Sequence, residues 1–265
     1  MAKAAAKPSG MMVSTVLGIA GSIALFVYIA FGHGAQALWN PEGAVIVGGG
    51  ITVAAMLAFR TSELVGALTA FFNIFREETE IKPDIANLVE FARLYQRSQV
   101  HEAEACLARA RSPFLRLGLQ LIVDGTPVND ILHVMNWRIQ KMIEQETVEA
   151  RLFRTLAGLA PAFGLLATLI GLIGMMAALG SATVAEVGQH MSIALVATLY
   201  GVVLANVVFK PIAIKLEQRT AKRVAALNVL LEGILLVRLG RSPTVVADAL
   251  AEYVREHRDE LHGTP

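Results

Sequence analysis

Apolar side chains dominate four stretches of the chain, at about 12–31, 43–60, 155–180 and 189–210. A helix rises about 1.5 Å per residue, so roughly 20 residues cross a hydrocarbon core of about 30 Å. None of the four carries Asp, Glu, Lys or Arg before its last residues, where Arg60 and Lys210 can snorkel to the interface. The pattern predicts four transmembrane helices. Gly48, Gly49 and Gly50 interrupt the second, as lipid-embedded helices tolerate where neighbours approach closely.

Between the second and third spans the pattern changes to amphipathic. Ile85, Leu88, Val89 and Ala92 recur at helical spacing within 84–110. Pro113 and the Gly125–Thr126–Pro127 cluster divide this insert, and Asp124–Gly125 reads as a structural turn. A helix starts at Asn129 and runs through Met135, Ile139 and Ile143, then through Glu144, Glu146 and Glu149 to the third span. The third and fourth helices are therefore expected to continue beyond the bilayer as rods. Near the end, Ser242–Pro243 marks a helix start, followed by the periodic set Val246, Leu250, Tyr253 and Val254.

Charge sets the orientation. The linkers 32–42 and 181–188 hold no Lys or Arg, whereas Lys3 and Lys7, the insert and the tail hold nearly all the cations. The positive-inside rule places both termini and the insert in the cytoplasm. The expected organisation is a cytoplasmic tail over 1–11, a first hairpin over 12–60, a cytoplasmic helical domain over 61–154, a second hairpin over 155–210 and cytoplasmic helices over 211–265. The fold class is an all-α membrane protein.

The composition agrees: 55% of the 265 residues are hydrophobic, 17% are charged and mean hydropathy is +0.55. A net charge of +1 gives no field for nucleic acid, and the single cysteine, Cys106, excludes an internal disulfide. The run 12–31 is long for a cleaved leader and is read as a retained helix. Paired carboxylates, metal-ligand spacings and intramembrane nucleophiles are absent; the Gly48–Gly50 run lacks the Lys–Ser/Thr of a phosphate loop. The inverted repeats and buried charges of solute transporters are not visible either. No enzyme is predicted, and no cofactor.

Two stripes of small residues carry the candidate chemistry. In the third span Ala160, Gly164, Thr168 and Gly171 share one face; in the fourth, Ala194, Thr198 and Gly201 do, with Ala197 and Ala205 beside them. Small residues at these spacings let helices pack closely, and that alone accounts for a lone glycine. Two neighbouring spans, each with a mid-depth threonine, also suit a lined pathway. Proton relays and cation sites in membranes usually use an intramembrane acid, which these four segments lack. His33 and His190 lie at outer ends and read as interfacial. If the protein conducts an ion, another chain must bring the titrating group.

The segments APAFGLLATLIGLIGMM at 160–176 and ALVATLYGVVLANVVFKPIA at 194–213 resemble the MotA/PomA stator family, within the MotA/TolQ/ExbB group of ion-driven motors. LWNPEGAVIVGGG at 38–50, LQLIVDG at 119–125 and SPTVVADALAEYV at 242–254 extend the resemblance in the same order across almost the whole chain. TolQ and ExbB differ in having three spans and an insert after the first. The resemblance implies a homopentameric ring in the bacterial inner membrane around two copies of a single-span, peptidoglycan-binding partner similar to MotB or PomB. That partner supplies the ion-carrying aspartate, and ion flow turns the ring against the flagellar rotor's switch protein.

The same resemblance assigns roles to residues. Thr168 and Thr198 match pore-facing threonines, with Ala197, Gly164, Gly171 and Gly201 around them. Sodium-type members carry a threonine pair where this chain reads Ala197–Thr198, so the ion is proton or sodium. A threonine can instead cap its own helix carbonyl. Pro161 and Pro211 match prolines that couple ion flow to torque; a hinge pair and static kinks are the two physical readings. Arg97 and Glu104 are the nearest counterparts of the family's rotor contacts, although QRSQVHEAEA at 96–105 departs from that pattern. This departure leaves open a motor of the same family serving a non-flagellar process, such as outer-membrane energisation or gliding.

Overall fold

The computed structural model describes residues 21, 28, 38–73, 81–97, 99–178, 180 and 183–251. Among them all regular structure is helical. The expected first span at 12–31 lies outside the described residues, apart from Gly21 and Tyr28, both helical. So do the tail 1–11 with Lys3 and Lys7, and His33, Tyr253 and Val254.

In chain order the helices are α1 (Pro41–Ala58), α2 (Thr61–Asn73), α3 (Lys82–Gln96), α4 (Val100–Arg109), α5 (Pro113–Val123), α6 (Val128–Ala178) and α7 (Val184–Val203). A π-helical segment, Leu204–Phe209, then leads without a break into α8 (Lys210–Arg238), and residues 243–251 form α9. Among the described residues, three helical stretches are long and apolar enough to cross a membrane: Pro41–Ala58, Val128–Ala177 and Ala185–Arg238. The expected rods are continuous. At 51 residues, α6 is about 75 Å long.

The insert differs from the sequence reading at one point. Residues 84–110 are not one helix: α3 ends at Gln96 and α4 starts at Val100. The turn closes with Gln99 N–H donating to the Leu94 carbonyl at 3.1 Å. It brings Leu88 and Phe91 into one core with Ala103 and Cys106. Burial, not local propensity, decides the break.

The chain forms two compact units. One comprises residues 77–147 and 217–265. Its core is Leu88, Phe91, Leu115, Leu119, Met135 and Ile234, with Val246 and Leu250 from α9. Buried Asp84 accepts from Arg111 N–H (3.2 Å) and Ser112 N–H (3.4 Å), while Ser112 Oγ accepts from Phe114 N–H at 3.2 Å. These bonds hold the start of α5. Gly125 adopts φ +70° where the chain reverses, and Arg238 donates to the Gly125 and Thr126 carbonyls at 2.8 and 2.7 Å. Cys106 is buried, which pushes its thiol up from the ordinary value; the Glu90 charge adds to this and Arg109 opposes it.

The other unit comprises residues 1–76 and 148–216. Its described core is unusually small-sided: Ala55, Ala67, Ala160, Ala167, Ala197, Ala205 and Ala213 are all buried, with Val47, Ile51 and Phe153. Small side chains let backbones approach, and this is what positions the candidate site.

Candidate functional site

The two small-residue stripes face each other. A Cβ on Gly164 would lie 3.1 Å from Thr198 Cα, one on Gly171 would lie 2.9 Å from Ala194 Cβ, and one on Gly201 would lie 2.5 Å from the Ala160 carbonyl oxygen. At Gly201 a Cβ would run into backbone closer than real Cβ atoms come, at Gly171 it would collide with the Ala194 side chain, and at Gly164 the fit would be tighter than most real contacts, so glycine lets α6 and α7 approach this closely. The three glycines therefore form the contact between the two helices.

The contact brings Thr168 and Thr198 together. Each hydroxyl reaches the carbonyl four residues back on its own helix: Thr168 to Gly164 at 3.1 Å and Thr198 to Ala194 at 3.2 Å. Each also reaches the other helix's carbonyl, Thr168 to Ala194 at 3.1 Å and Thr198 to Gly164 at 3.3 Å. The two hydroxyls are hydrogen-bonded to each other as well. Two hydroxyl protons serve two carbonyls and one hydroxyl–hydroxyl bond, so one proton lies between the threonines and the other goes to a carbonyl. Lone pairs remain on the hydroxyl oxygens. Both residues are half-buried in the protomer. The self-capping bonds are thus present together with bonds between the two helices.

Ala197 is fully buried, and the structure gives the reason for its size. It sits where α1, α6 and α7 meet: a Cβ on Gly43 would lie 3.1 Å from Ala197 Cβ, and the Ala197 carbonyl faces Gly164.

The start of α1 is tied to the same level. Asn40 Oδ1 accepts from Gly43 N–H at 3.0 Å and Pro41 occupies the first turn. Asn40 N–H donates to the Tyr200 hydroxyl at 3.0 Å, and Tyr200 donates to the Leu38 carbonyl. Tyr200 escaped the sequence reading, because a mid-span tyrosine gives no clue to a partner 160 residues away.

The two prolines do not share a level. Pro161 follows Ala160, whose carbonyl faces Gly201. Pro211 lies ten residues beyond Gly201, about 15 Å along the helix. The Phe153–Phe209 ring contact, 6.5 Å between centroids, confirms the register. Pro161 and Pro211 are thus offset by about 15 Å along the helix pair. Pro211 closes the π segment: its ring excludes the Val207 carbonyl and it has no N–H to give. The backbone before it widens, Lys210 N–H bonding to Ala205, and the Asn206 amide donates to Val202 at 3.0 Å.

At the other end of α7, Thr183 and Glu186 form a capping box. The Thr183 backbone N–H, then its hydroxyl, hold the Glu186 carboxyl below its ordinary value, with a smaller contribution from His190. The His190 ring lies against Gly174, whose added Cβ would stand 3.1 Å from Nδ1. In the other unit Arg97 caps α3 and Glu104 lies on α4, both exposed. An exposed ion pair, Glu90–Arg109 at 3.4 Å, links those two helices.

Comparison with known proteins adds to this geometry. A model of the MotA/TolQ/ExbB proton channel family matches residues 107–229. An uncharacterised Bacillus subtilis protein, YtxD, is 32% identical over 93% of this chain and 91% of its own. Motility protein A of B. subtilis is 30% identical, covering 83% and 81%. The solved flagellar MotAB stator complex from B. subtilis has a chain of similar fold, with a TM-score of 0.79, 28% identity and coverage of 94% and 98%.

Proposed function

The chain belongs to the MotA/TolQ/ExbB proton channel family, and on that premise we propose that it is a ring subunit of an ion-driven flagellar stator. Resemblance to Motility protein A over most of both chains carries this reading. It is a membrane-embedded motor component rather than an enzyme. Its partner is a MotB-like chain, in keeping with the MotAB complex whose fold it shares.

The finer assignment rests on chemistry. The α6–α7 contact presents hydroxyl lone pairs at mid-span, and an ion that moves past them needs an acid to carry it. The single-span partner brings that acid. Thr168 and Thr198 then offer oxygens beside the path, while Gly164, Gly171, Gly201 and Ala197 hold the hydroxyls in place by close packing. Pro161 and Pro211 shape the two helices along which movement at the ion site passes inward. Four spans, cytoplasmic termini and a homopentamer complete the proposal, with Arg97 and Glu104 facing the rotor's switch protein.

The test is complementation of cells that lack their own stator, with the full chain and its partner expressed together. Pro161→Leu is expected to assemble at wild-type levels and abolish swimming. Normal swimming with that substitution would count against the coupling role. Wild-type failure to drive rotation, alongside rescue of a non-flagellar process, would favour the other motor class.

A further inference from the structure

The register between α1 and α7 places an acid where the sequence reading had none. Gly43 is packed against Ala197, and Thr198 is the next residue of α7. Glu42 therefore lies within a few ångströms, along the helix axis, of the Thr168–Thr198 hydroxyls. It is exposed in the protomer, and among the described residues no ion pair involves it.

That level is inside the apolar band. From Lys210 outward to Gln189 there are 21 residues, about 31 Å, which matches a hydrocarbon core. Ala197 is 13 residues from Lys210, about 20 Å from the inner edge and roughly 10 Å short of the outer one. Around and beyond that level α6 still exposes Leu169, Ile170, Leu172, Ile173 and Met176, so the apolar surface continues outward past Glu42. The Tyr200 hydroxyl supplies a second, independent sign. It satisfies the Leu38 carbonyl and the Asn40 N–H, non-helical backbone groups that water would serve at a membrane surface. Irregular backbone at membrane depth persists only where protein satisfies it.

We propose that Glu42 is a proton-relay carboxyl group within the membrane, set at the depth of the hydroxyl pair on this chain's own ion pathway. The proposal rests on the stator reading. A charge in the apolar band is costly, and an ionisable residue found there marks a pathway. Glu42 acts on the outer side of the path. Its carboxylate takes a proton from hydronium, forming an O–H bond and releasing water. That O–H bond then breaks as the proton passes to a water near Thr168 and Thr198, restoring the carboxylate. No electrons are exchanged. The partner's acid remains the principal carrier, and Glu42 loads it.

The experiment uses the full chain with its single-span partner, in stator-lacking cells and in reconstituted vesicles. Glu42→Gln keeps shape and polarity and removes titration, whereas Glu42→Asp keeps titration. At equal membrane levels and equal co-purification with the partner, Gln is expected to lower swimming speed and proton uptake at least about tenfold, a threshold set below the roughly 10²–10⁴-fold that a positioned proton-transfer group contributes. Asp should retain most of both. Wild-type speed and uptake in the Gln variant would overturn the relay, as would a loss that follows sodium at fixed pH. Depth is read separately with a charged, impermeant thiol reagent added from outside. Glu42→Cys should label no faster than the wild-type chain, whose Cys106 is buried, and far slower than Gly180→Cys. Labelling as fast as Gly180→Cys would put Glu42 at the surface. Should wild type conduct protons without turning a motor, the stator reading fails while the Gln and Asp fluxes still decide the role of Glu42.

Discussion

At the scale of single residues, glycine sets the site, and the glycines are not equivalent. Gly201 faces the Ala160 carbonyl, whereas Gly48 has open space around its missing side chain. Gly201→Ala must push a Cβ into backbone, and overpacking of this kind costs about 1–3 kcal/mol. Gly48→Ala meets nothing in the protomer and gains helix propensity. Thermal unfolding of the detergent-solubilised complex is expected to fall for the first and hold or rise for the second. The threonines permit a sharper measurement. Thr168→Val and Thr198→Val keep shape and remove the hydroxyls, so a double-mutant cycle reads their mutual bond, expected near 0.6 kcal/mol with an upper range of about 1.7. Additive losses would mean that the hydroxyls bond carbonyls and not each other. The stripes carrying these residues were legible, since residues four apart share a helix face. That the stripes meet each other rather than open water was not, because spacing along one helix says nothing about what the face touches.

At the scale of elements, two helix ends behave differently from regular α-helix, and each makes a prediction. The π segment Leu204–Phe209 holds one residue more than an α-helical path needs, directly before Pro211. Deleting Val208 removes the extra residue and returns the segment to α-helical spacing, apart from the one bond that Pro211 cannot make. The expected variant assembles with its partner at normal levels yet loses rotation, if the widened turn supplies the bend through which α7 drives α8. Full-speed swimming would reduce the segment to a packing accommodation. At the start of α7, Glu186 is held below its ordinary value by the Thr183 backbone. Its folded form titrates lower than its unfolded form. The stabilisation is thus complete above the ordinary glutamate value and is lost as pH falls through the depressed one. Protection of the first α7 turn in hydrogen exchange should fall on acidification over that window, and Glu186→Gln should remove the response. Element existence was readable from the pattern of apolar residues and the Ser242–Pro243 start. The π turn was not, because a proline near a span's end predicts a stop or a kink equally well. The α3–α4 break also escaped, being set by the tertiary core around Phe91 and Cys106.

At the scale of the whole molecule, the source of the ion-carrying acid decides how the two polypeptides share the path. The segments 155–180 and 189–210 contain none, and that absence was plain in the sequence. Glu42 was in plain view too, one residue outside the span drawn at 43. Its depth depends on the offset between α1 and α7, which the Gly43–Ala197 contact reveals and no single-helix pattern encodes. An acid reached from the outer side but lacking an onward carrier cannot complete a path across the bilayer. The chain alone, reconstituted in liposomes, is therefore expected to pass neither protons nor sodium above the leak of empty vesicles, and addition of the single-span partner should open the flux. A protonophore should then stop swimming, while removal of sodium should not, because Ala197 carries no hydroxyl to offer sodium a ligand beside Thr198. Robust conduction by the solitary chain would mean that Glu42, with the hydroxyl pair, already spans the path. The division of labour between the two polypeptides would then have to be redrawn.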